Sequence, residues 1–383
     1  MTEPKPKHID HIALALGANR FVWNKLLAMN LYRLANGLPI LWYFEMAWFI
    51  QLWKQSDEYS FLKGAPSQSL QQTAKALDRA FRDAFDKNQP FKRIPTFKKK
   101  GRNEAGIRYP QGFSVDENNC VFRLPKLGRV KYRNSRKIEG TIKNVTISKK
   151  YGKYIISVQT ELEVKQPRHG STSAVGVDMG IAYFATLSTG EHVIGKNSFK
   201  QMPEKLAKQQ RKLAKKTKFS ANWHKQKAVM TRLHTRIADT RKDFLHKAST
   251  RISKNHAMIV VEGLKISDMT KNSKGTADNP GKKVAQKSGL NRSILDQGWG
   301  EFRRQLEYKQ AWRGGILLAV PPHHTSQTCP CCKHASKENR LTQAEFVCVE
   351  CGFSENADIV GAINVLARGH VLLAGNEPPG RRG

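Results

Sequence analysis

The chain has 383 residues, enough for two or three domains around at least one sizeable core. Its 66 Lys and Arg stand against 31 Asp and Glu, a formal net charge of +35 that solubility does not require and that favours a polyanion. No run of about 18 apolar residues is present to span a bilayer, and MTEPKPKHIDHIALALG lacks a charged-then-apolar leader, so the expected setting is nucleic acid in the cytoplasm, associated with the nucleoid, with no membrane.

In chain order, residues 11 to 56 read as helices. ANRFVWNKLLAMNLYRLA spaces Phe21, Leu26, Leu27, Leu31 and Leu34 helically, and LWYFEMAWFIQLWKQ forms an aromatic-rich second helix. A third opens at Pro66-Ser67, turning Leu70, Leu77, Ala80, Phe81 and Phe85 inward and Gln71, Lys75, Arg79 and Arg82 outward. NQPFKRIPTFKKKGRN, with Pro90 and Pro95, ends the helical pattern. Short alternating runs from 107 to 164 (CVFRLP, GRVKYR, NVTISKK, KYIISVQTELE) predict a small antiparallel barrel, and VKQPRHGSTSA a linker. AVGVDMGIAYFATLSTG reads as a buried strand, a tight turn and a second strand. Residues 200 to 254 are helical, with eight Lys or Arg and one Glu between 200 and 218, and carry a later core stripe at Leu233, Ile237, Phe244, Leu245, Ala248 and Ile252. HAMIVVEGL is another buried strand and TKNSKGTADNPGKKVAQKSG a mobile loop. A helix over 293–313, the strand GILLAV, a cysteine cluster and a helix over 357–368 follow, and AGNEPPGRRG is expected to be disordered.

Five of the six cysteines fall between 329 and 351. Cys329-Pro-Cys-Cys332 and Cys348-Val-Glu-Cys351 are two C-x-x-C pairs joined by a span expected to fold as a β-hairpin. Two such turns supply four thiolates to one tetrahedral Zn²⁺, a closed and therefore structural site. Gly352 follows the second pair, where positive φ is favoured. Cys331 is a fifth thiol, so a swap with Cys332 stays open, although the two-residue gap favours Cys332. Cys120 stands apart.

Three acids close apolar elements: Asp178 and Glu262 end buried strands, and Asp358 begins the last helix. Singly, each also reads as a turn former or helix cap. Ends of parallel strands converge at one sheet edge. Three carboxylates gathered there repel unless a cation neutralises them, which implies Mg²⁺ or Mn²⁺. Two ions roughly 3.5–4 Å apart suit hydrolysis of a phosphodiester, the natural chemistry for so basic a chain.

GVDMG, VVEGL, TSQTCPCC…FVCVECG and NADIVGAINVLARG resemble the split RuvC-like nuclease motifs of the TnpB family, insertion-sequence proteins similar to compact type V CRISPR effectors. GANRFVWN, PKLGRVKYRNSRKIEGTIKNVTIS, RKDFLHK and DQGWGEFRRQLEYKQAWRGG extend the resemblance, in order, over roughly residues 17 to 370. The resemblance implies an RNA-guided DNA endonuclease. It binds a guide RNA from the transposon end and cuts double-stranded target DNA beside a short adjacent motif, with base pairing reading sequence and protein reading shape. It implies catalytic, metal-binding roles for Asp178, Glu262 and Asp358, and zinc ligation by Cys329, Cys332, Cys348 and Cys351. Arg340 becomes a candidate to position substrate phosphate. Gln71 and Lys75 are placed to read base edges of the flanking duplex, and the basic helices of 200–254 to line a channel for the heteroduplex.

The implied architecture is an α/β RuvC/RNase H-like nuclease with a zinc-ribbon insertion, an antiparallel β-barrel wedge and a helical recognition lobe. The expected boundaries are 1–88 (recognition helices inserted in the barrel), 89–167 (wedge barrel), 172–321 and 354–370 (nuclease), 322–353 (zinc ribbon, contacting the target strand) and 371–383 (tail). Two departures from the family stand out. A barrel strand is expected to be missing ahead of the first helix, where only about ten polar, proline-bearing residues lie. Val360 and Gly361 stand where the family tends to have Asn and Ala, read as a packing change. The competing readings are an RNA-guided DNA-binding repressor without nuclease activity, against which three intact acids argue, and a transposase or its accessory DNA-binding protein.

Overall fold

A computed structural model of the chain describes residues 5–100, 106–150, 153–196, 203–276, 279–340, 342 and 344–375. The tail expected over 371–383 lies mostly outside these residues. The fold is mixed α/β with several sheets, and the chain divides into two compact units, Met1–Glu163 and Val164–Gly383.

In the first unit, helices α1 (Pro6–Ala35), α2 (Tyr43–Gln55) and α3 (Ser67–Phe85) precede strands β1 (Ile107–Tyr109), β2 (Ser114–Asp116), β3 (Val121–Leu124), β4 (Gly128–Lys131), β5 (Thr141–Lys150) and β6 (Lys153–Glu161). The strands form two three-stranded antiparallel sheets, β1-β5-β6 and β2-β3-β4, so the expected barrel is not closed among the described residues. Only β5 and β6 are long, and β1 to β4, of three or four residues each, give them little edge to close against. Helices cover their apolar faces instead: Leu26, Leu70 and Phe81 share one core with Ile107, Tyr109, Phe122 and Ile147.

Helix α1 begins at Pro6, earlier than the periodicity suggested, because proline is tolerated in a first turn whose N–H groups lack partners anyway. Among the described residues no strand precedes it. Phe85, expected to face inward, is exposed at the last position of α3.

The second unit is built on a sheet ordered β11-β10-β7-β8-β9. Strands β7 (Ala174–Asp178), β10 (Met258–Glu262) and β11 (Ile316–Val320) run parallel, while β8 (Ala185–Leu187) and β9 (His192–Val193) return antiparallel. Around it lie α4 (Pro203–Ala214), α5 (Ala221–Asn255), the short α6 (Ile266–Met269), α7 (Val284–Gln297), α8 (Trp299–Arg313) and α9 (Ala357–Leu373). The expected single helix over 293–313 is two. Gly298, at φ +74°, closes α7 with a left-handed residue and α8 starts at the next position, a break that apolar spacing does not reveal. Helix α7 also takes up the end of the stretch expected to be a mobile loop.

Alternation along the parallel strands places the site. Val175 and Val177 of β7, with Ile259 and Val261 of β10, pack in one core with Leu245, Ile252, Phe302 and Leu306 of α5 and α8. The intervening residues face the other side, where Val260 packs with Val365 of α9. Helix α9 approaches that face closely: a β-carbon on Gly176 would fall 2.0 Å from the Ala362 carbonyl oxygen, so only glycine fits. Asp178 and Glu262 follow the same alternation and therefore emerge on the α9 side.

Candidate active site

Register brings the first two acids together. Val261 pairs with Val177, so the next residues along, Glu262 and Asp178, end adjacent parallel strands side by side. Asp358 joins them from the first turn of α9. Capping does not occupy it: the Asn356 side chain is the cap, its Oδ1 accepting from the backbone N–H groups of Asp358 (3.0 Å) and Ile359 (3.4 Å).

The electrostatics are those of crowded carboxylates. Burial, then the charges of Glu262 and Asp358, push Asp178 up from its ordinary value to about 7, against the pull of Arg340 and the Met179 N–H. Burial raises Glu262 as well, opposed by a hydrogen bond from Thr325 and by the charge of Arg368. Thr325 Oγ1 donates to Glu262 Oε1 at 2.7 Å and is itself buried. Asn364 of α9 anchors that loop, its Nδ2 donating to the carbonyls of Thr325 (2.8 Å) and Thr328 (2.7 Å). Arg340 reaches the same cluster, with Nη2 3.7 Å from Asp358 Oδ1 and both side chains partly exposed. Carboxylate oxygens are the hard donors a divalent cation prefers, although among the described residues only the four thiols below already stand close enough together to hold one ion.

Sequence reading did not single out Thr325, Asn364 or Arg368. The nearest signals were their positions inside the TSQT and NADIVGAINVLARG motifs. Their contacts with Glu262 and its loop depend on where α9 and the segment after β11 come to lie.

The thiols form a second constellation. One ligand atom each from Cys329, Cys332, Cys348 and Cys351 lies within 4.8 Å of the others. Cys329 and Cys351 sulfurs are 3.6 Å apart and those of Cys332 and Cys348 3.5 Å. Those separations are far too long for a disulfide and close to the roughly 3.8 Å edge of a tetrahedron with metal–sulfur bonds of about 2.3 Å. Cys331 lies outside the group, which leaves Cys332 as the partner of Cys329.

Each pair occupies its own turn, as its spacing implied, but among the described residues the span between the pairs does not fold as the expected hairpin. The first lies inside the Thr328–Ala335 bridge, and the second between β12 (Glu345–Val347) and β13 (Ser354–Asn356). Lys333 and Gly352, each one residue past its pair, take φ +66° and +70°, and their N–H groups donate to the carbonyls of Cys329 and Cys348. Although desolvation opposes it, the N–H groups of Cys351 and Glu350 and the neighbouring thiols hold Cys348 below an ordinary thiol, while the same thiol neighbours push Cys332 up.

Gln71 and Lys75 lie in the other unit, one turn apart on α3. Gln71 is half-buried, and the exposed Lys75 sets its Nζ 4.9 Å from the Tyr43 ring centre.

Comparison with known proteins matches the family model OrfB_IS605, "Probable transposase", to residues 157–273 and the Cas12f1-like TNB domain to residues 299–365. InsQ of Escherichia coli (strain K12), named as a proposed RNA-guided DNA endonuclease, is 53% identical over 361 residues, 94% of this chain and 89% of its own length. A protein of Streptomyces pristinaespiralis, similarly named, is 30% identical over 370 residues, 96% of this chain and 87% of its own. A cryo-EM structure of a Cas12f1-sgRNA-target DNA complex aligns over 95% of this chain and 96% of its own, at 16% identity and a TM-score of 0.35.

Proposed function

This chain belongs to the TnpB family, and we propose that it is an RNA-guided DNA endonuclease whose cutting site is Asp178, Glu262 and Asp358. It binds a guide RNA from the transposon end and cleaves double-stranded DNA beside a short adjacent motif. The observation that carries the cutting role is the convergence of three acids at the carboxyl ends of β7 and β10 and the start of α9, where Asp178 is half-buried beside like charge.

These three carboxylates would hold two Mg²⁺ or Mn²⁺ ions, which when bound would supply Lewis acidity for phosphodiester hydrolysis. The chain's own residues do the positioning. Thr325 fixes one oxygen of Glu262 and leaves the other to turn toward the site. Arg340, beside Asp358 at the partly exposed rim, is placed to hold the scissile phosphate and to offset its charge. Arg368 stands behind Glu262, its Nη1 donating to the Pro321 carbonyl at 2.7 Å, and tempers the local negative charge.

Cys329, Cys332, Cys348 and Cys351 would hold one structural Zn²⁺, tying together the two turns between which Arg340 lies. The β7–β11 sheet with α9 is the RuvC/RNase H-like nuclease, over 172–321 and 354–370. Residues 322–353 are the zinc ribbon, 1–88 the recognition helices and 89–167 the wedge. Gln71 and Lys75 of α3 read base edges in the flanking duplex. Among the described residues no helix is long and apolar enough to cross a membrane, and the working site is the nucleoid.

The test is cleavage of a supercoiled plasmid bearing a guide-matched target, with Asp178→Ala beside the parent. The parent linearises the plasmid in Mg²⁺ and the variant binds without cutting. If both bind and neither cuts, the nuclease reading fails. A fully active preparation free of RNA would overturn guidance.

A further inference from the structure

Helices α4 and α5 form a hairpin, fastened where Gln226 Nε2 donates to Gln209 Oε1 at 2.7 Å and to its carbonyl at 3.3 Å. Between residues 203 and 238 it carries eleven Lys or Arg and a single acid, Glu204. Among the described residues, none of these cations is in an ion pair.

At its tip sits Phe219. Its φ is +70°, a conformation that suits glycine and is uncommon for an aromatic residue. The strain accompanies no burial, since the residue is 69% exposed. Neither propensity nor the core accounts for a phenylalanine there. The turn itself is closed by others: Ser220 N–H donates to the Thr217 carbonyl at 3.1 Å, and the Ser220 hydroxyl caps α5 by accepting from Trp223 N–H at 3.1 Å.

The ring is nevertheless held in place. Phe219 and Trp223 stand 5.4 Å apart between centres, tilted by 55°. Lys218 Nζ lies 5.5 Å from the Phe219 centre and Lys227 Nζ 4.7 Å from that of Trp223. Both ammonium groups lie over the rings on long, flexible stems, and an exposed aromatic ring with such cations at its face is the chemistry that stacks a nucleobase and holds its phosphate. A base offers its face only when unpaired. Strained backbone at an exposed ring is the pattern expected of a residue kept for contact rather than for folding.

We propose that Phe219, backed by Trp223 and flanked by Lys218 and Lys227, is a stacking platform for an unpaired base of single-stranded nucleic acid. The ligand class rests on the function proposed above, while the site rests on the hairpin tip alone. Two sources offer such a base, an unpaired stretch of the guide RNA and the DNA strand displaced from the target.

Full-length chain is titrated by fluorescence anisotropy with a labelled uridine homopolymer, a labelled thymidine homopolymer and a blunt RNA–DNA hybrid, and its thermal midpoint is recorded. Phe219→Gly removes the ring and relieves the backbone, so its midpoint equals or exceeds the parent's. Affinity for at least one single strand falls roughly tenfold, affinity for the hybrid holds, and the salt slope is unchanged because no charge is lost. Phe219→Trp retains binding. The strand whose affinity depends on the ring identifies the source.

Undiminished binding of both single strands by Phe219→Gly, or an equal loss on the hybrid, overturns the platform while leaving the proposed function intact. A lowered midpoint overturns it too, by assigning the ring to folding. A parent that binds none of the three probes would sink both.

Discussion

The backbone of Gly361 faces the Asp178 carboxylate so closely that a β-carbon at Gly361 would lie 2.9 Å from Asp178 Oδ2 and 3.4 Å from its Cγ. A residue in the second turn of α9 thus sets the room available to an acid at the end of β7. The departure from the family noted at this position is therefore a feature of the site as well as of packing. Gly361→Ala displaces a side-chain end, which rotation absorbs, and gains about 1 kcal/mol of helix propensity. The expected result is a higher thermal midpoint with less than tenfold loss of cleavage. Gly361→Val puts a branched side chain where the carboxylate sits, and cleavage falls at least about 100-fold. Plasmid cleavage and thermal melts on both variants decide it, and equal activity of the two would show that the carboxylate is not confined.

Asp178 makes folding depend on pH. Its value is raised in the fold to about 7 from an ordinary 3.8, so folding takes up a proton between these limits. Stability from this group is fully present below about pH 4, declines as pH rises and is lost above about 7. In buffer without divalent cations, Asp178→Asn is expected to melt higher than the parent at pH 8, by on the order of 4 kcal/mol at most, and by much less at pH 4. Added Mg²⁺ narrows the gap. Melts at the two pH values test this, and a variant less stable than the parent at pH 8 would contradict it.

Thr325 acts on Glu262 through one hydrogen bond. Thr325→Val keeps the shape, removes the donor and leaves the buried Glu262 less able to ionise. Cleavage should fall about tenfold at neutral pH, with the acid limb of the pH–rate profile moved upward and Thr325→Ser restoring both. A uniform loss at all pH values would reduce Thr325 to a packing residue.

The ribbon prediction separates two adjacent thiols. Cys332→Ser breaks the four-sulfur group and is expected to lose zinc and expose the 322–353 segment to protease. Cys331→Ser should keep one zinc per chain and full cleavage. Metal analysis of the purified proteins decides, and loss of zinc from the Cys331 variant would exchange the assignments.

Arg340→Gln removes the cation next to Asp358. Cleavage is expected to drop by about 10²-fold while guide RNA still copurifies and target binding stays within a few-fold. Arg340→Lys restores it only in part, since an ammonium is a single point charge without the guanidinium fork. Binding lost in parallel with cleavage would instead place Arg340 in general nucleic-acid affinity.

Local chemistry was legible in the chain itself. Spacing of Cys329, Cys332, Cys348 and Cys351 implied a tetrahedral metal site because each pair is joined by one short turn, and unbroken apolar runs marked β7 and β10 because buried parallel strands need no polar alternation. The charge excess pointed to a polyanion. Tertiary structure decided what depends on distant elements meeting. Whether short strands close a barrel depends on what covers them, and α1 and α3 do so in the first unit. The break at Gly298 lies in a single left-handed residue between two helices of like periodicity. Asp178, Glu262 and Asp358, each readable as a turn or cap, become one cluster because β7 and β10 run in register and α9 lies against the face both acids leave by. Asn356 takes the capping role, and the backbone of Gly361 lies against the Asp178 carboxylate and bounds the room it has.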